Sequence, residues 1–193
     1  MRGGSSAFRR LVPLVGVFVL SACASYSGSN LKAGVSTLDE VVASMGEPAM
    51  RWKDADGQEQ LAYPRGPVGT QTFMAFIGAN GRLERIEPVL NNAHFARIEP
   101  GKSDKVSILR LLGPSQPQWT VYYQARDEVD WEWRYCDSLN LTAFFGVAFD
   151  ATTWVVRSTY SRPDYEWPRG VVPTCGQTPP SMLPGFVPGS PDN

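Results

Sequence analysis

Few residues in this 193-residue chain have the types and spacing that chemistry needs. Cys23 stands alone in Leu20-Ser-Ala-Cys-Ala-Ser25, at the end of an apolar run from Leu11 to Leu20. A thiol there can be modified or bonded. Cys136 and Cys175 are the other two cysteines, and they can pair. His94 is the only histidine, and no nucleophile or base motif surrounds it. No Gly-x-Ser-x-Gly and no P-loop occurs, and the glycines of Gly66-Pro-Val-Gly-Thr70 lack the lysine of a phosphate cradle. Asp130 and Glu132 share one face of an alternating segment, but Arg134 follows them, so a solvated, partly paired face is expected rather than an acid–base couple. One histidine and three cysteines do not make a zinc site. The expectation is a non-enzyme with no cofactor and no metal.

Arg2, Arg9 and Arg10 precede the apolar run, which is too short for the ~20 residues of a bilayer span. This is the layout of a secretory signal. Leu20-Ser-Ala-Cys23 resembles the lipobox of bacterial lipoproteins, which implies cleavage after residue 22 and acylation (palmitate) of Cys23. An ordinary signal with a coincidental cysteine, or an uncleaved anchor, is the alternative. Two or more acyl chains anchor stably where one does not. Ala24, rather than the Asp that commonly retains Gram-negative lipoproteins at the inner membrane, follows the cysteine, so the resemblance implies the periplasmic face of the outer membrane. Residues 23–33 then form a short tether, whose stretch from Ala24 to Lys32 reaches at most ~30 Å fully extended and about 15–18 Å as a coil.

An exported chain meets an oxidising compartment, where Cys136 and Cys175 are expected to bond; two free buried thiols are the alternative. The net charge is −1 and more acidic without the leader. No basic block exists, which argues against nucleic acid.

Two segments match at a constant offset: Gly34-Val-Ser-Thr-Leu-Asp-Glu-Val-Val-Ala-Ser-Met-Gly46 and Gly101-Lys-Ser-Asp-Lys-Val-Ser-Ile-Leu-Arg-Leu-Leu-Gly113. Each reads as a short helix with Ser36 or Ser103 as N-cap and Gly46 or Gly113 as C-cap. The second is apolar more nearly all round and should be the more buried. Asp56-Gly57 and Asn80-Gly81 mark hairpins in the first half. The second half offers strands around Gln118–Gln124, Glu128–Tyr135, Leu139–Phe149 and Thr153–Tyr160. The expected fold is α+β, with two tandem units of one helix and about four antiparallel strands: 34–95 and 96–162. Residues 163–193 carry half of the 16 prolines, which excludes a helix or a central strand and suggests an extended arm pinned at Cys175.

The Gly-x-Ser-x-x-x-x-Val helix ending in Gly-x-Pro, on Gly34, Ser36, Val41, Gly46 and Pro48, resembles the SmpA/OmlA (BamE-like) family of outer-membrane lipoproteins. The tandem arrangement also resembles the β-lactamase inhibitor protein (BLIP) family. The resemblance implies a membrane-tied, non-catalytic docking module whose partner is an envelope protein, such as a component of β-barrel assembly. A binder or inhibitor of a periplasmic enzyme is the alternative. The binding candidates are Trp119, Trp131 and Trp133, since aromatic residues dominate interface energetics, and Tyr63 and Arg65 of the loop Tyr63–Thr70. The competing expectation is that the tryptophans fill the core and that the loop is a plain hairpin connection.

Overall fold

The computed structural model describes residues 27–65, 69–164 and 174–175. Helix α1 (Leu38–Met45) leads into strands β1 (Met50–Lys53), β2 (Glu59–Pro64), β3 (Thr72–Ile77) and β4 (Leu83–Pro88). A short helix α2 (Asn92–Phe95) and helix α3 (Lys105–Leu112) follow. Strands β5 (Thr120–Tyr123), β6 (Glu128–Cys136), β7 (Thr142–Asp150) and β8 (Val156–Pro163) complete the described part. The fold is α+β, with two four-stranded antiparallel meanders ordered β1-β2-β3-β4 and β5-β6-β7-β8.

The helices begin one residue later than the serines suggest. Thr37 and Asp104 are the N-caps, each in a reciprocal capping box, with Glu40 and Ser107 respectively. Ser36 and Ser103 instead turn their hydroxyls back to accept from the backbone N–H of Lys32 and Glu99, tying down the loop before each helix. Gly46 and Gly113 close the helices at φ 85° and 77° with extended ψ, a region essentially reserved for glycine.

Leu38-to-Met45 periodicity puts Val41 and Met45 against one face of the first sheet, among Leu61, Tyr63, Phe73 and Ile77. The sheet's other face meets α3. A Cβ on Gly113 would lie 2.9 Å from the Thr72 methyl, so the missing side chain is what lets the helix end approach β3. Gln60 Nε2 donates to the Arg110 carbonyl at 2.5 Å, and Arg110 forks onto Asp54 at 2.6 and 3.0 Å. The opposite side of α3 buries Ile108 and Leu112 in the larger core with Trp131, Trp133, Phe145, Val147 and Phe149. The layers therefore run α1, first sheet, α3, second sheet. Helix α3 is packed on both sides, as its wider apolar surface requires, though Val106 remains exposed.

The loops repeat a common hydrogen-bond scheme. Gly34 N–H donates to Leu83 O and Leu83 N–H to Ser36 O; Gly101 N–H donates to Val156 O and Val156 N–H to Ser103 O. Leu38 N–H reaches Gly81 O, and Lys105 N–H reaches Trp154 O. Gly81 has φ 74°, and Trp154 adopts φ 58°, a conformation costly for a bulky residue. Contacts with Trp131 and Phe149, each at 5.8 Å between centroids, hold it there.

Cys136 and Cys175 are bonded, S–S 2.13 Å, and Cys175 N–H also donates to Asn140 O. Strand β8 extends to Pro163, and Asp164 is buried, so the second sheet's unit runs past the expected boundary at residue 162. Cys23 and the rest of the expected arm lie outside the described residues. No described helix is long and apolar enough to cross a membrane.

Candidate protein-docking face

Alternation along β6 sends Val129, Trp131, Trp133 and Tyr135 inward under α3, because an apolar helix covers that side. Trp131 and Trp133 are therefore core residues, 8% and 3% exposed, and Trp119 and Tyr63 are equally withdrawn at 7% and 2%. None of the four presents itself to a partner; the expectation that placed them on a binding face is corrected by their burial. Trp133 even spends its indole N–H on Gly113 O, at 3.2 Å. Arg65 is half-buried, donates to the Met45 carbonyl at 3.3 Å and lies over the Tyr63 ring.

The opposite side of β6 carries Asp130, Glu132 and Arg134, and it is not a solvated face. The three are 7%, 9% and 1% exposed. Register explains how they are covered. Glu132 stands opposite Gly146, and Gly146 stands opposite Tyr160. The absent side chain at Gly146 lets the Tyr160 ring lie flat across β7. Its hydroxyl reaches Asp130 Oδ2 at 3.0 Å and Glu132 Oε1 at 3.1 Å. Arg162 closes the far side with a two-point fork on Glu132, at 2.7 and 2.5 Å, and its guanidinium rests 4.2 Å above Phe144. Farther along, Arg134 pairs with Asp164 at 2.6 Å, both side chains wholly buried.

One phenolic hydrogen cannot serve two carboxylates. Burial pushes the Asp130 carboxyl above its ordinary value; the Tyr160 hydroxyl opposes this, and Glu128 and Glu132 add to it. Its Oδ1 is buried without a partner among the described residues. A protonated Asp130 donating from Oδ2 to Tyr160, which donates to Glu132, satisfies both links of the Tyr160 hydroxyl. Burial, then Glu132 and Asp130, raises the Tyr160 phenol. The Glu132 fork raises the Arg162 guanidinium. This locked network gives the face a fixed floor.

At the edge of that floor, β5 stands fully exposed. Val121, Tyr122 and Tyr123 are 44%, 56% and 38% accessible. Val121 and Tyr123 sit opposite Asp130 and Glu128, on the network's side of the sheet. Arg126 lies 4.1 Å over Tyr123 and pairs with Glu128 at 2.8 Å. These apolar side chains were legible only as part of an aromatic-rich strand; nothing in their spacing marks them as the strand left at the sheet's edge. No group of three or more His, Cys, Asp or Glu that could hold a metal occurs among the described residues. No protein family, no curated protein and no solved structure matches the chain.

Proposed function

We propose that the chain is an outer-membrane lipoprotein that acts as a non-catalytic docking module in the cell envelope, as an accessory of β-barrel outer-membrane protein assembly. In this reading Cys23 carries the acyl anchor. The body is two tandem copies of one helix–four-strand unit. The paired loop bonds support the tandem reading: Gly34, Ser36, Leu38 and Leu83 repeat as Gly101, Ser103, Lys105 and Val156, with Trp154 in the place of Gly81.

The observation that carries the docking role is the exposed Val121-Tyr122-Tyr123 edge strand beside a rigid polar floor. An edge strand offers unpaired backbone groups for strand addition, with alternate side chains for specificity. Tyrosines supply contact area at low entropic cost. A lipid anchor adds effective concentration, so a weak face suffices for a partner in the same membrane. A non-catalytic role is favoured because Tyr160 and Arg162 engage Asp130 and Glu132 from within the fold. The second reading is a BLIP-like binder of a periplasmic enzyme, favoured by the same sheet face.

The test places a photo-crosslinking amino acid at Tyr122 of the full chain in native envelopes, with Val35, 60% exposed in the first half, as the control position. Barrel-assembly components crosslinked from Tyr122 but not Val35 support the first reading. A hydrolase supports the second. Equal yields from both positions refute docking through β5.

A further inference from the structure

A second feature stands apart from the docking face and does not depend on it. Between the outer face of the first sheet, α2 and α3 lies an open cleft of about 400 Å³. That is within the ~300–1,000 Å³ typical of small-molecule sites. Its open apolar surface comes from the half-buried walls Phe76 and Leu111, beneath which Met74 and Ile108 are fully buried. Its rim is basic, with Arg85, Arg97 and Arg110.

The balance of these charges decides what the cleft would take. Arg110 is committed to Asp54, at 2.6 and 3.0 Å. Arg85 bonds Glu87 and lies 3.6 Å over the Phe76 ring. Glu87 is the one carboxylate among the described lining residues, and it also faces His94 Nε2 at 3.4 Å. Burial pushes the Glu87 carboxyl up, but Arg85 and then His94 outweigh it and hold it below its usual value. That acid is thus already satisfied by its neighbours. The Arg97 guanidinium has no ion pair or hydrogen bond among the described residues. Apolar walls at Phe76 and Leu111 with one uncommitted guanidinium at the rim match an apolar body ending in a single anionic group. Charge-assisted bonds to arginine are the strong ones, and a carboxylate or phosphate fits the fork.

We propose that this cleft is a binding site for a small amphipathic monoanion, with Arg97 receiving the anionic head and the Phe76 and Leu111 walls receiving the apolar body. Inorganic anions alone lack the wall contact, and neutral analogues lack the head contact, so both bind more weakly.

His94, the chain's only histidine, lines the cleft, so its imidazole signals report occupancy without assignment work. The purified protein is titrated by NMR with octanoate, octanamide, acetate and inorganic phosphate. Octanoate should move the His94 ring signals saturably, while octanamide, acetate and phosphate at equal concentration should move them far less. Arg97→Glu, an exposed position, should weaken octanoate at least tenfold, about 1.4 kcal/mol, with the near-ultraviolet circular dichroism unchanged. Lys102→Gln, which removes an exposed charge outside the cleft, should leave affinity intact. Leu111→Trp, which fills the cleft, should block binding from the apolar side. The proposal is overturned if octanamide binds as well as octanoate, if phosphate or acetate alone binds as tightly, or if the folded Arg97→Glu protein retains native affinity.

Discussion

Gly146→Ala tests the docking floor most directly. A Cβ built on Gly146 would lie 2.2 Å from Tyr160 Cζ and 2.5 and 2.6 Å from its Cε atoms. Those are ring atoms, not the free end of a flexible chain, so the ring must lift. Overpacking of this kind costs about 1–3 kcal/mol. Lifting the ring also strips the hydroxyl from Asp130 and Glu132, and a buried acceptor left unsatisfied costs about 1–3 kcal/mol more. The expected loss is therefore roughly 2–6 kcal/mol, read as a drop in the urea midpoint at constant slope. Alanine is otherwise no worse than glycine in a strand interior, so the loss has to come from the ring. A double-mutant cycle isolates it. In a Tyr160→Ala background the same Gly146→Ala change should cost almost nothing. If Gly146→Ala costs the same in both backgrounds, or under ~0.5 kcal/mol alone, where surface changes usually fall, the account of this face is wrong.

Four further outcomes follow from the same contacts. Asp164→Asn should destabilise by about 3–5 kcal/mol, since it removes the carboxylate charge that the buried Arg134 guanidinium pairs with. Replacing both partners by Met and Leu should recover most of that in the same denaturation assay. Asp130→Asn should stabilise at pH 7. A carboxyl raised on folding contributes stability below its unfolded value and loses it as pH rises through the folded one. The gain over wild type should shrink toward pH 3, and a pH-independent gain would contradict the assignment. Tyr63→Phe should stabilise by about 1–3 kcal/mol, because it removes a buried hydroxyl that has no partner among the described residues and whose burial holds the phenol up at about 12. Reducing Cys136–Cys175, 39 residues apart, should lower stability by roughly 4 kcal/mol on a chain-entropy argument, measured by melting with and without reductant.

Much of the fold was written locally. The Asp-Gly and Asn-Gly turns, with Gly57 and Gly81 at φ 86° and 74°, placed the β1–β2 and β3–β4 hairpins. The helix ends at Gly46 and Gly113 were readable because only glycine takes their backbone angles. The caps were misplaced by one residue. Ser36 and Ser103 look like caps, but Thr37 and Asp104 hold the complete boxes, and a serine hydroxyl serves a preceding loop equally well.

The candidate site was far less legible. Alternation along β6 divided tryptophans from charges, which is a local property of a pleated strand. It left open what covers each side. Helix α3 took the tryptophan side into the core, while Tyr160, Arg162 and Asp164, brought by register from β8 and beyond, buried the charges. The exposure of Val121, Tyr122 and Tyr123 depends on β5 lying at the end of its sheet. The chain by itself determined where elements start, stop and turn, because those depend on backbone angles and neighbouring side chains. Only the tertiary structure decided which faces meet water, because burial depends on partners distant along the chain.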